Sequence, residues 1–179
     1  MLADAKLREA EYFLGCMDAT AERPNEFQHN LSALLSAARS VTWYLQSEFT
    51  GDPRFESWYE EKRDLLSVDA EAKFFNDARV RTVHVREVTT RKQVNITIHD
   101  SIGMSDALKI EVIRDGKVVE TREVPPSVVR PPEPAPPKVE ITYYFPDLPG
   151  GEKEVLSACG SHLAKLRVML DEWRKLKPS

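Results

Sequence analysis

Cysteine is scarce in this sequence: Cys16 and Cys159 are the only two among 179 residues, far apart and in helix-like surroundings. That spacing gives neither a disulfide framework nor a zinc knuckle, and reduced core thiols are expected. No stretch of about 18 apolar residues occurs, so no transmembrane span is expected. The first residues, MLADAKLREAEYFL, mix acids with bases and lack the apolar run of a signal peptide. A soluble chain in the cytoplasm, away from the membrane, is the expectation. Positive charge is not in excess either. Net charge is −4 and the isoelectric point lies near 5.7, which excludes a generally basic nucleic-acid binder and leaves only a local patch. Glycine-rich phosphate loops, a Gly-x-Ser-x-Gly elbow, CxxC and HExxH spacings are all absent. No metal and no cofactor are expected, and Cys159 with His162 three residues on reads as core or surface.

What is present is periodic apolar sequence in the first half. Leu7, Ala10, Leu14 and Met17 recur three and four apart over residues 2–19, an amphipathic helix. Pro24 interrupts the pattern, and Asn25 with Gln28 resembles a capping box for the next helix. Phe27, Leu31, Leu34, Ala38, Val41 and Leu45 then alternate steps of four and three, and Phe49 extends the run. This second helix is long enough to be the spine of a bundle. Gly51 suits its end, and Asp52-Pro53 supplies a cap and a first-position proline for a third helix, whose face is Phe55, Trp58, Tyr59, Leu65 and Leu66. Asp69 caps a fourth, with Phe74, Phe75 and Ala78 inward. Trp43, Trp58, Tyr59 and Trp173 all read as core.

After His84 the texture changes to β-branched residues. Residues 94–99 read as a strand, and 108–114 with 117–124 as a hairpin about the turn Asp115-Gly116. Residues 125–137 hold seven prolines and no glycine, a semi-rigid connector in which the PxxP at Pro131 and Pro134 is a spacer. Residues 138–145 give one more strand. From 152 to about 177, Val155, Leu156, Cys159, Leu163, Leu166 and Leu170 form a face too broad to stand alone. The predicted fold is α+β: an antiparallel bundle of four helices plus a returning C-terminal helix, with a small antiparallel β excursion between the fourth and fifth helices. The expected organisation is a bundle over 1–86, the β excursion with its proline connector over 87–150, and the last helix over 151–179.

The segment 69–92, DAEAKFFNDARVRTVHVREVTTRK, joins the two halves and carries Arg79 and His84 with four residues between them. Histidine titrates near neutrality and exchanges protons with a hydroxyl, while the forked arginine cation holds a phosphate bidentately. On an ideal helix these two positions lie roughly 140° apart. They meet only if the helix ends or bends between them, or if a partner subunit supplies one of them. Arg79, Arg81, Arg86, Arg91 and Lys92 face Glu87 alone in this stretch. They read either as a phosphate-binding patch or as the basic residues that favour helix ends and strand edges.

The second helix with NLSALLSAARSVTWYLQSEF, the third with FESWYEEKRDLLSVD, and FFNDARVRTVH together resemble the HEPN superfamily of small α-helical proteins. The resemblance implies a homodimer and a metal-independent endoribonuclease, or an inactive relative, in a defence or toxin–antitoxin setting. It assigns His84 as acid and base and Arg79 as phosphate clamp, with Arg81, Arg86, Arg91 and Lys92 on the RNA. The other reading is a non-catalytic dimeric binding or scaffold protein whose β excursion contacts a protein partner.

Overall fold

The computed structural model describes residues 1–84, 88–97, 108–114, 116–124 and 137–176, with side chains excepted at 81–84, 108–110 and 124. The chain is α+β. Five helices run α1 (Leu2–Ala19), α2 (Pro24–Phe49), α3 (Pro53–Val68), α4 (Ala70–His84) and α5 (Val155–Leu176). Between α4 and α5 come β1 (Arg91–Thr97), β2 (Leu108–Arg114), β3 (Lys117–Val124), β4 (Lys138–Phe145) and β5 (Lys153–Glu154). Two compact units divide the chain: Met1–Val94 with Glu140–Ser179, and Asn95–Val139. Among the described residues no helix is long and apolar enough to cross a membrane.

In the larger unit α1 and α2 pack along each other, and α5 returns to lie against α1, α2 and α4. The apolar stripe of α2 is the reason: Phe27, Leu31, Leu34, Ala38, Val41 and Leu45 are all buried. From α5, Val155, Cys159, Leu163, Leu166, Leu170 and Trp173 are buried in the same core. Ion pairs fasten the rim of α5, from Arg174 to Asp4 at 2.7 Å, from Arg167 to Glu11, and from Lys62 of α3 to Glu172 at 2.7 Å.

Helix ends follow local chemistry. Asp52 accepts from the Arg54 amide at 3.0 Å with Pro53 in the first turn, and Gly51 takes φ +89° after α2. The start of α1 has no side-chain cap of its own; Glu48, from the end of α2, accepts from the Leu2 and Ala3 amides at 2.8 and 3.3 Å. The capping box expected at Asn25 and Gln28 does not form. Pro24 already carries helical φ and has no N–H to satisfy, so the helix begins two residues earlier with Arg23 as cap. Gln28 instead donates to Thr90 Oγ1 at 2.5 Å.

The sheet order is β1-β4-β5. Strand β4 alternates, with Tyr143 and Phe145 buried and Thr142 and Tyr144 less so, and it drives those two rings into the helices. Phe27 stacks on Tyr143 at 3.8 Å and 16°, and the Tyr143 hydroxyl donates to the Ala21 carbonyl at 3.1 Å. Phe145 meets Phe74 and Phe75 at 5.2 and 6.0 Å. The strand predicted over 94–99 starts earlier, at Arg91, and residues 98–100 lie outside the described residues. The two-residue β5 carries no sequence signal; it exists because the turn after β4 folds Lys153 back opposite Phe145.

In the smaller unit β2 and β3 pair antiparallel from Leu108↔Val124 to Arg114↔Lys117, with an irregularity at Val112/Ile113. Gly116 takes φ +72°, as a tight hairpin turn requires; Asp115 lies outside the described residues. So does the proline run over 125–136.

Two expected core residues are not core. Trp43 is 57% exposed and Leu65 55%. Each flanks a buried stripe, Trp43 two residues past Val41 and Leu65 one before Leu66, so helical rotation carries it outward. Trp173, by contrast, is 1% exposed and packs against Phe49, Phe55 and Trp58 at 5.2, 4.9 and 5.3 Å. Its indole N–H has no hydrogen-bond partner. We expect Trp173→Ala to cost about 3–5 kcal/mol in urea unfolding. Trp173→Phe, which removes the unpartnered N–H along with some volume, costs less, about 1–2 kcal/mol.

Candidate functional site

Four helices of the larger unit surround a cavity of about 500 Å³. Helix α2 turns Leu35, Ala38, Arg39, Thr42 and Gln46 toward it, a stripe at helical spacing beside the main core stripe. Helix α3 brings Tyr59, Arg63, Leu66 and Ser67. Helix α4 adds Ala72, Lys73, Phe75, Asn76 and Asp77, and α5 closes the space with His162 and Leu166. Apolar depth under a ring of polar and charged groups is the usual make-up of a small-molecule site.

Asp69 positions two of these walls. Its carboxylate accepts from the Glu71 and Ala72 amides at 2.9 and 3.1 Å, capping α4, while its own amide donates to Leu65 O at the end of α3. The same carboxylate takes Lys165 of α5 at 2.7 Å, and Glu71 takes that ammonium at 2.8 Å and Lys153 at 3.2 Å. Hydrogen bonding from Lys165 holds both carboxyls below their ordinary range despite opposing desolvation, and the same partners raise Lys165.

One turn before Lys165, the ring of His162 stacks on Phe75 at 4.3 Å and 13°. Its Nδ1 is sealed from solvent and has no hydrogen-bond partner. Burial, helped by the Lys165 charge, pushes the imidazole down to about 4, against the weaker pull of Glu71 and Asp69. His162 is therefore neutral at pH 7, a flat polar wall with no charge. Across from it the Tyr59 phenol is raised by burial, and Arg39, Thr42 and Arg63 pull it back.

The residues predicted at the basic junction are placed differently. Helix α4 runs unbroken to His84, so positions 79 and 84 stay roughly 140° apart around its axis. The side chains of Arg81 and His84 lie outside the described ones, as does Arg86 altogether. Arg79 is brought to Arg39, Ser40 and Trp43 instead, around a second cavity of about 270 Å³. Its Nε is sealed from solvent and unpartnered. Arg91 is occupied: its guanidinium donates to both Glu152 oxygens at 2.5 and 2.8 Å and lies 4.7 Å over the Tyr144 ring, joining β1 to the approach to β5. Lys92 is exposed. No motif marks Arg39 or Lys73 as site residues in the sequence, where Tyr59 reads as core and His162 as core or surface. The one signal was the polar spacing Arg39, Thr42, Gln46 beside the apolar stripe of α2.

The family model for bacteriophage lambda protein ea47 matches residues 2–141, from α1 into β4. The chain belongs to the bacteriophage lambda protein ea47 family. No curated protein and no solved structure matches it. This corrects the HEPN resemblance. That likeness rested on the α2 stripe, the Trp-Tyr pair of α3 and one Arg–His spacing, and a long apolar central helix is common to antiparallel bundles in general. The ea47 match takes those helices together with the strands as one stretch.

His162 gives this site a pH signature. The unfolded imidazole takes up its proton near 6.5 and the folded one only near 4, so stability is fully present above about 6.5 and falls as pH drops toward 4. We expect a loss on the order of 2–3 kcal/mol across that window. In His162→Phe, which keeps a ring against Phe75, urea unfolding should be nearly flat from pH 6.5 to 5. An equal slope in both proteins would place the titration elsewhere.

Proposed function

We propose that the chain is a non-catalytic binding protein that takes a small ligand between α2, α3, α4 and α5. The observation that carries this reading is the cavity of about 500 Å³, with apolar depth and cationic side chains at its lip. A cytoplasmic setting is part of the proposal, supported by the free thiols of Cys16 and Cys159.

The ribonuclease reading took its residues and its RNA from the HEPN resemblance and loses that support with it. The unbroken α4 adds nothing in its favour, since it keeps positions 79 and 84 on different faces. The homodimer was supported by the same resemblance and by the apolar length of α2. That apolar stripe is consumed inside the chain, against α1, α4 and α5.

Ligand-observed NMR against a fragment library tests the proposal. Fragments should bind the wild-type chain and lose at least tenfold in affinity in Ala72→Phe, which fills the cavity from α4. Hits that bind the plugged variant equally well would refute the site. RNA incubated with purified protein in EDTA should stay intact; cleavage by the wild type that vanishes in both Arg79→Ala and His84→Ala would replace this proposal with the catalytic one.

A further inference from the structure

The charge around the cavity narrows what it takes. Arg39 and Lys73 both line it and both are exposed, and among the described residues neither meets a carboxylate within salt-bridge distance. The Arg39 guanidinium donates to Thr42 Oγ1 at 2.6 Å, a neutral acceptor that leaves its charge uncompensated. Arg63 counts for less, because Glu60 at 3.3 Å and Asp64 at 3.8 Å already share it. Asp77 is the single acid of the lining and forms no ion pair with Lys73, one turn before it. Among the described residues other exposed cations, Arg8, Lys92 and Lys175, also lack a carboxylate within salt-bridge distance, but Arg39 and Lys73 are brought together on the lining of one cavity.

Arg79 strengthens the point. It lines the neighbouring smaller cavity, which shares Arg39. Two guanidinium groups converging on one edge add to the local positive potential, which favours an anion there. The lining also holds the stacked, uncharged rings of Phe75 and His162.

We infer that the ligand is a small organic anion with a flat apolar body, its acid group held by Arg39 with Lys73 and its ring laid toward the wall of Phe75 and His162. The inference rests on the ligand-site reading above and goes further by naming the charge and shape of what binds. Arg79 supports the acid group through the shared edge, and Asp77 selects against a second negative charge near Lys73. A larger polyanion such as nucleic acid would need more cationic surface than these side chains offer.

Two probes of equal shape separate the inference from the reading beneath it: 1-naphthoate, which is an anion, and 1-naphthamide, which is not. Each is titrated into the full-length chain while amide chemical shifts are followed. Naphthoate should move the amides of the four lining helices and bind at least tenfold more tightly than naphthamide, with the advantage shrinking as salt rises. In the Arg39→Gln, Lys73→Gln double variant the ratio of naphthoate to naphthamide affinity should fall to about one, a comparison within one protein in which any effect common to both probes cancels. Equal affinity of the two probes for the wild type, or a naphthoate preference that survives the double variant, overturns the anion and leaves the ligand site standing. If neither probe moves the lining amides, the ligand site itself fails.

Discussion

A single residue, Asp69, holds three helices in their relative places. Its backbone amide closes α3, while its carboxylate caps α4 and receives the ammonium of Lys165 from α5, so one residue fixes the corner between two helices and ties that corner to the returning one. Glu71 doubles the link to Lys165 and extends it to Lys153 beside β5. Loss of an N-cap alone is worth about 1 kcal/mol, and here the cap and the ion pair share the same atoms. The cavity walls from α3, α4 and α5 depend on this corner. Asp69 and Glu71, both on Lys165, set the distance between Phe75 on α4 and His162 on α5.

The core does the coarser work. Trp173, Phe55, Phe49 and Trp58 bring the end of α5 against α2 and α3, while Phe145 and Tyr143 draw β4 under Phe74, Phe75 and Phe27. Aromatic packing of this kind supplies area and shape but tolerates some sliding, because each contact is worth only about 0.5–1.5 kcal/mol beyond its burial. A cavity survives between helices so packed when the side chains facing it are polar. Arg39, Thr42, Gln46 and Asn76 prefer hydrated space to collapse onto Leu35 and Leu66. The ea47 family match ends within β4, yet α5 contributes His162, Leu166 and Lys165, so part of the site lies beyond the matched stretch.

Much of the architecture was legible because its signals are local. The alternation of fours and threes from Phe27 to Leu45 needed no partner to be read as a helix, Asp52-Pro53 needed only its own amides, and the strands flanking Asp115-Gly116 end where the sequence places them. Local signals also misled. Asn25 and Gln28 had the form of a capping box, but the adjacent proline fixed the helix start first. Trp43 looked like core because tryptophan usually is, whereas its angular place on α2 is set by the stripe beside it. The cavity was not legible at all. Arg39, Tyr59, Lys73 and His162 come from four helices, and only the packing of α5 against α4 makes them neighbours. The Arg79–His84 spacing was legible as a motif, and the continuous α4 keeps the two positions roughly 140° apart around its axis.

The central claim is that Asp69 and Lys165 couple α5 to the α3–α4 corner and so build the cavity. A double-mutant cycle measures that coupling most directly, using Asp69→Ser, which retains a capping oxygen but no charge, Lys165→Met, and the pair, each unfolded in urea at pH 7. Lys165 is more than a third exposed, so solvent screens the contact, and the coupling energy should be about 1 kcal/mol. Strict additivity of the two substitutions would contradict the account, because it would mean that Asp69 and Lys165 do not couple α5 to the α3–α4 corner, leaving α5 to its apolar face and its other ion pairs.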